Sequence, residues 1–373
     1  MEKEIDIIIP AFKVHETLYT TLCSIAQQTY KDKIKITVVN DCCPEGSYYK
    51  IIKKFKKDLD IEEIKMPKNG GPGLARQYGI NNTNCPYIMF VDADDILLGT
   101  TAIEILYRGI IEQKTEVLFS SFIENLKDNK LIYHPADKIW LFGKIYKREF
   151  LKKHNIYFNS MRGGEDGLFN RKVMLSLPNL TIPFIEDNYL YEWNHLRTNS
   201  ITLNNSVQYS FDLGPYYLGK NLIELINWAE KENIDKNILK EEIYHQFANV
   251  YFHYLQNLNI NSPFTKQIYE VLKECYYKIW KKYDCDILSD EFKNAFYKQL
   301  EGWFSFTEHF SILTNQAIGL KDLFNFFEQS PYNKQDLIDF YEKEFPQHLK
   351  QANINCGLAD EEFYKNGGYE EEQ

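Results

Sequence analysis

Three carboxylates crowd the end of one apolar run. YIMFVDADD (87–95) is apolar up to Asp92 and then presents Asp92, Asp94 and Asp95. Like charges this close are costly unless a cation or hydrogen bonds neutralise them. Hard oxygen donors suit Mg²⁺ or Mn²⁺, ions that also bind substrate phosphates. The plainer reading is a solvated acidic turn that caps the next helix. A second segment, KNGGPGLARQYGI (68–80), runs from a glycine-rich turn into a helix, with Arg76 one turn in. Backbone N–H groups at such a junction can face a phosphate. It matches neither a P-loop nor GxGxxG, and a flexible loop with a surface arginine explains it as well. A third, RGGEDGLFNRKV (162–173), puts Glu165 and Asp166 at a helix start. Capping and the helix dipole favour acids there, and a general base on a flexible turn is the functional alternative. A fourth, WNHLRTNSIT (193–202), places His195 and Arg197 after a strand. Such cations suit a diphosphate, His195 can instead ligate a metal, and polar loop residues are the plain reading.

The elements around these residues alternate. IDIIIP (5–10), KIKITVVND (33–41), IEEIKM (61–66) and YIMFVD (87–92) read as strands. Between them, residues 15–29 set Leu18, Leu22, Ile25 and Ala26 at helical spacing, 47–58 form a lysine-rich helix, and Gly73–Ile80 begin another. This predicts an α/β fold: a largely parallel sheet with helices on both faces and ligands outside the strands' carboxyl ends. Asp41 and Asp92 stand at two such ends. Further on, 100–113 read as a helix, TEVLFSSFIE (115–124) as a strand with KLIYHP (130–135) as its hairpin partner, and YLYEWN (189–194) as a strand. Residues 140–158 read as irregular to helical. After about 205 only helices are expected. Ile243 to Leu258 and Ile268 to Tyr283 carry apolar stripes at helical spacing. The expected domains are 1–205, a helical 206–350 and an acidic frayed tail, 351–373.

The 373 residues are 44% hydrophobic and 26% charged, enough to bury a sizeable core. Residues 1–200 carry 27 basic and 26 acidic side chains, residues 201–373 carry 16 and 27. Neither half resembles a basic nucleic-acid-binding domain. Seven cysteines without a C-x-x-C pair argue against a zinc ribbon and a disulfide scaffold, so a cytoplasmic location is expected. MEKEIDIIIP lacks the basic region of a signal peptide, and no apolar run reaches the ~18 residues of a membrane span, so any contact with the inner membrane face would be peripheral.

Taken in order, IIIPAF, VVND, NGGPGLAR, VDADD, GGED and the W…R…S loop resemble the nucleotide-sugar glycosyltransferases of family 2, over about residues 5–202. The resemblance implies the GT-A fold, Rossmann-like, and an inverting, metal-dependent transfer from a UDP-sugar to a hydroxyl. It implies that Pro10, Ala11 and Phe12 line the base pocket and that Asp41 bonds a uracil-type ring. Arg76 with Gly70 and Gly71 approaches the nucleotide or diphosphate. Asp92 and Ala93 touch the donor, and Asp94 and Asp95 with Asp92 hold Mn²⁺ or Mg²⁺. Asp166 is the catalytic base with Glu165 beside it, and His195 or Arg197 meets metal or diphosphate. Two departures stand out: Phe12 where Tyr is common, and Cys42–Cys43–Pro44 in place of a small polar turn.

A surface glycan or polysaccharide precursor is the expected acceptor. A protein, or a modified base in DNA beside the lysine-rich KKFKK (53–57) and KIYKREFLKK (144–153), is the alternative. The acidic second half weighs against DNA. A degenerate nucleotide-sugar-binding scaffold is the reading of another class. A nucleotidyltransferase would place a basic glycine-rich loop where PAFKVHE stands. The helical half, rich in aromatics that pack its core, is expected to bind the acceptor or join a homodimer.

Overall fold

The structure, a computed structural model, describes residues 2–126, 130–195, 213–247, 264–286, 289–292, 294, 324–329, 333–340, 343 and 347. The chain divides into two compact units, Met1–Val207 and Gln208–Gln373. Arg197, Val250 to Leu258 and the 351–373 tail lie outside the described residues.

The first unit is built on one sheet. β1 (Ile5–Ala11), β2 (Ile34–Asn40), β3 (Ile61–Lys65) and β4 (Tyr87–Phe90) are parallel, in the order β3-β2-β1-β4. β1 lies between β2 and β4 and is rich in isoleucine, as a strand covered on both faces should be. α1 (Leu18–Ala26) buries Leu18, Leu22 and Ile25 in the same core. α3 (Pro72–Asn81) comes very close to the sheet. A Cβ on its Gly79 would stand 2.4 Å from Ile8 Cγ2, so only glycine fits there. That close packing fixes the height of Arg76, three residues earlier on the same helix.

Beyond β4 the sheet is mixed, not parallel as expected. β8 (Lys144–Lys147) pairs antiparallel with β4 and with β6 (Val117–Asn125). β9 (Phe184–Asn194) runs parallel to β6, and β5 (Ile96–Leu97) closes the order beside β9. β7 (Leu131–His134) is the hairpin partner of β6, as the sequence indicates. β8 and the short α5 (Arg148–Lys153) occupy the stretch read as irregular. The strand hides itself because it opens with a lysine, and that lysine is fully buried. The 47–58 helix is also shorter than expected: α2 spans Tyr49–Ile52, and Lys53, Lys54, Lys56 and Lys57 lie exposed beyond it. α4 (Ala102–Glu112) and α6 (Glu165–Leu175) follow the sequence reading.

One buried ion pair ties the parallel strands to the mixed ones. Asp6, near the start of β1, is wholly buried and accepts hydrogen bonds from Arg148 Nη2 (2.6 Å) and the Cys85 N–H (2.7 Å). Arg148 also donates to the carbonyls of Cys85 and Ile80. Removing one partner strands a buried charge. Arg148→Met is therefore expected to cost about 3–5 kcal/mol in urea unfolding, and a loss under about 1 kcal/mol would contradict this role. Of the basic residues in 144–153, Lys144 and Arg148 are buried, and Lys152 and Lys153 are exposed.

In the second unit α7 (Gly214–Lys231) and α9 (Thr265–Cys275) face each other through Leu222, Leu225 and Ile226 on one side and Ile268, Val271 and Leu272 on the other. α8 (Lys236–Phe247), a π-helical turn over Tyr276–Trp280 and α10 (Lys334–Asp339) complete the described helices that carry labels here. Tyr244, Phe247, Trp280, Phe292 and Phe324 form a buried aromatic cluster. These rings pack the core, as their spacing suggests.

Candidate active site

The parallel strands end together, and their loops gather on one edge. Ala11 registers with Asn40 and Asn40 with Lys65, while the Val91 N–H bonds the Ile8 carbonyl. Asp41 follows β2 and is 3% exposed. Its carboxylate accepts from the Gly70 N–H (2.7 Å), the Gly71 N–H (2.8 Å) and Asn69 Nδ2 (2.9 Å). Burial raises its pKa against these donors. Asp41 thus shapes the loop that starts α3. Gly71 is in the left-handed region (φ 85°), Pro72 follows at the first helical position, and Arg162 packs over Gly71 and donates to Asn69 Oδ1. Pro10 and Phe12 are half-buried on this edge, whereas Ala11 and Ala93 point into the core and offer a ligand no side-chain surface.

The centre of the site is a guanidinium under three carboxylates. Arg76 is 2% exposed. Its Nη2 donates to Asp92 Oδ1 (2.7 Å), and its Nη1 to Asp166 Oδ1 (2.8 Å) with Glu165 Oε1 at 3.5 Å. Burial opposes its charge, yet Asp166, Asp92 and Glu165 outweigh this and raise its pKa. Its forked donors are spent on acids, so Arg76 sits beneath the site rather than reaching for a diphosphate. That corrects the expectation. Gly164, left-handed at φ 69°, turns the chain into α6 and sets Glu165 and Asp166 in its first turn. Burial is the main cause that pushes the Asp166 carboxyl up to about 8; Arg76 opposes it, and Glu165 and Asp92 reinforce it. Burial also raises Glu165. One guanidinium shared by three acids leaves an excess of negative charge, which a proton on Asp166 relieves.

The DADD carboxylates divide by depth. Asp92 keeps 27% of its side chain exposed and Asp94 is half-buried. Asp95 is 1% exposed, with Oδ2 accepting from Tyr191 Oη (2.6 Å) and Oδ1 from the Asn194 N–H (2.9 Å). Burial first, then Asp94 and Asp92, push its pKa well above the carboxylate range. Expected as a metal ligand, Asp95 is instead a strut between the loop and β9, because both its oxygens are already taken inside the protein. Tyr191 completes the strut: its hydroxyl also accepts the Asp92 N–H (3.0 Å). Tyr191→Phe leaves both neighbours short of a bond and is expected to cost about 1–3 kcal/mol in urea unfolding. A change within about 0.5 kcal/mol would contradict it.

His195, the other metal candidate, has Nε2 3.0 Å from Glu124 Oε1, while His134 takes the second oxygen of Glu124 at 2.8 Å. The structure therefore joins Asp92, Glu165 and Asp166 through Arg76, keeps Asp94 beside Asp95, and directs His195 toward Glu124. Tyr191, Arg162 and Lys144 are missed by the motif reading. Lys144 is fully buried, donates to Asp137 (3.2 Å) and the Trp140 carbonyl, and burial lowers its pKa to about 8. Its only local signal is a lysine inside the apolar run IWLFGKIY (139–146).

A sequence model of glycosyl transferase family 2 matches residues 6–171. A glycosyltransferase of Streptococcus pneumoniae, GlyA, is 31% identical over 204 residues, covering 47% of this chain and 28% of that one. The poly(ribitol-phosphate) β-N-acetylglucosaminyltransferase TarP of Staphylococcus aureus is 23% identical over 283 residues, covering 64% and 84%. The chain thus spans under a third of GlyA and most of TarP. Residues 1–349 of S. aureus TarS, solved with UDP-GlcNAc, superpose with a TM-score of 0.59 at 16% identity, covering 98% of this chain and 93% of that one. That likeness shows the GT-A fold with a helical C-terminal region. Over residues 6–171, less than half of its length, the chain is similar to glycosyl transferase family 2.

Proposed function

We propose that this chain moves a sugar from a UDP-sugar to a hydroxyl of a surface glycan, with inversion at the anomeric carbon. The observation that carries the reading is Arg76 joining Asp92 of the DADD loop to Asp166 of α6. This link supports reading Asp92 as a donor-binding carboxylate and Asp166, whose pKa is raised, as the base. The solved TarS complex with UDP-GlcNAc and the poly(ribitol-phosphate) transferase TarP support a UDP-sugar donor and a glycan or polyol-phosphate acceptor.

The half-exposed Asp92 and Asp94 are hard oxygen donors, and their charge already bears on Asp95, so the pair fits Mn²⁺ or Mg²⁺. Asp92 and Asp94 would hold the ion, which would supply positive charge to a departing diphosphate. The Asp41-ordered loop and Phe12 hold the nucleotide on the carboxyl edge. Asp166 takes the proton of the acceptor hydroxyl as it attacks the face opposite the leaving group. The transition state is oxocarbenium-like, and no covalent intermediate is needed. Arg76 keeps Asp92 and Asp166 in register throughout.

Thermal stability with UDP, GDP, CDP or dTDP, each with Mn²⁺ or EDTA, tests the donor. UDP with Mn²⁺ at ~100 times its Kd is expected to add about 2.7 kcal/mol, an effect lost with EDTA and in Asp94→Ala. A preference for another nucleotide overturns the uridine assignment. No stabilisation by any of them overturns the nucleotide site.

A further inference from the structure

Two loops on the carboxyl edge of the sheet bring three different metal-ligating groups together, apart from the acids around Arg76. His15 lies after β1, and Cys43 and Glu45 lie after β2. One ligand atom from each falls within 4.8 Å of the other two, and among the described residues no other trio does so.

The imidazole is the informative member. His15 Nδ1 is 3.0 Å from Glu45 Oε2, and Nε2 is 3.4 Å from the Ser47 carbonyl. Both partners are acceptors, and a neutral imidazole has one proton to give. The other contact is met by a second proton or by a metal cation. With the proton on Nε2 toward Ser47, the Nδ1 lone pair faces Glu45, which is how a carbonyl fixes the tautomer of a metal-bound histidine. The ring stacks on the buried Tyr48 at 4.3 Å, so it cannot swing away freely.

The ligands on the second loop are equally fixed. The Cys43 N–H donates to Asn40 Oδ1 (2.8 Å), and Asn40 Nδ2 donates to the Gly46 carbonyl (3.0 Å) and Glu63 (2.8 Å). Ser47 Oγ donates to Glu63 Oε2 (2.6 Å). The loop is thus pinned from β2 and β3. Cys43 is 4% exposed, while the Glu45 side chain is 52% exposed and leaves a way in from solvent.

We propose that His15, Cys43 and Glu45 bind one borderline divalent transition ion, Zn²⁺ by preference. Nitrogen, thiolate and carboxylate with an open fourth position are a three-ligand zinc set. Mg²⁺ and Mn²⁺, which prefer oxygen, do not compete for it. Binding breaks the Cys43 S–H bond, forms the sulfur–metal bond and releases the proton to water. The site stands whether or not the donor reading above is right, since its ligands and its test involve no nucleotide.

Titration of the full chain with Co²⁺ as the probe tests it. One equivalent is expected to give thiolate-to-cobalt charge-transfer absorption, displaced by Zn²⁺ and untouched by excess Mg²⁺. Cys43→Ser is expected to abolish the band and Cys42→Ser to leave it. His15→Ala, at a partly exposed position, is expected to weaken Co²⁺ binding by more than the roughly 10–100-fold that loss of an outer partner costs. Circular dichroism checks that each variant is folded, and if Cys43→Ser is not, His15→Ala decides. No thiolate band on the folded wild-type chain overturns the proposal, as does Co²⁺ binding that His15→Ala leaves unchanged.

Discussion

Asp166→Asn is expected to slow sugar transfer by about 10²–10⁴-fold while leaving UDP affinity within a few-fold of wild type. Asparagine preserves the shape beneath the acceptor and can still bond Arg76, but it cannot take a proton. Steady-state rates with UDP-GlcNAc and Mn²⁺, paired with UDP titration, separate the two effects. A variant that keeps a tenth or more of the activity would remove Asp166 from the base role. The raised pKa adds a sign. Only the ionised carboxylate accepts a proton, and burial lifts the folded protein's value to about 8. The ratio kcat/KM is therefore expected to rise with pH through about 8 and level off above it. A flat profile from pH 6 to 9 would contradict that assignment.

The second large effect falls on Arg76. Arg76→Met removes the charge shared by Asp92, Glu165 and Asp166, two of which are nearly buried. Breaking a buried ion pair from one side costs about 3–5 kcal/mol, and here three acids lose the same partner. Urea unfolding is expected to show at least that loss near pH 8 and a smaller one near pH 5, where Asp166 and Glu165, both raised by burial, are more protonated. Arg76→Lys is expected to rescue little, because an ammonium cannot fork between Asp92 and Asp166. A fully active Arg76→Lys enzyme would show that the fork does not matter.

Much of this was legible in the sequence because the parallel half obeys local rules. IDIIIP, KITVV and YIMF are short apolar runs whose ends carry Asp41 and Asp92, and the helical connections between them point to parallel strands. Residues defined by long-range packing were not legible. Lys144 reads as surface charge until β8 is seen between β4 and β6. Tyr191 reads as one aromatic in YLYEWN, and its hydroxyl gains a role only when β9 runs past the DADD loop. The D-x-D-D spacing cannot tell a half-buried Asp94 from a fully buried Asp95. Depth decides that, and depth is set by Asn194 and Tyr191, about a hundred residues away. Arg76 was legible as a cation one turn into a helix but not as one that faces inward. Gly79, three residues on, brings α3 against Ile8 and carries the guanidinium under the acids.

The most direct test of a UDP-sugar transferase with inverting geometry is proton NMR of the anomeric signals during turnover. UDP-GlcNAc, Mn²⁺ and a polyribitol-phosphate acceptor are incubated with the full chain. Release of UDP with a product of the opposite anomeric configuration to the donor is the expected result. Product with the donor's configuration, or no product from a chain that binds UDP-GlcNAc with Mn²⁺, would contradict it.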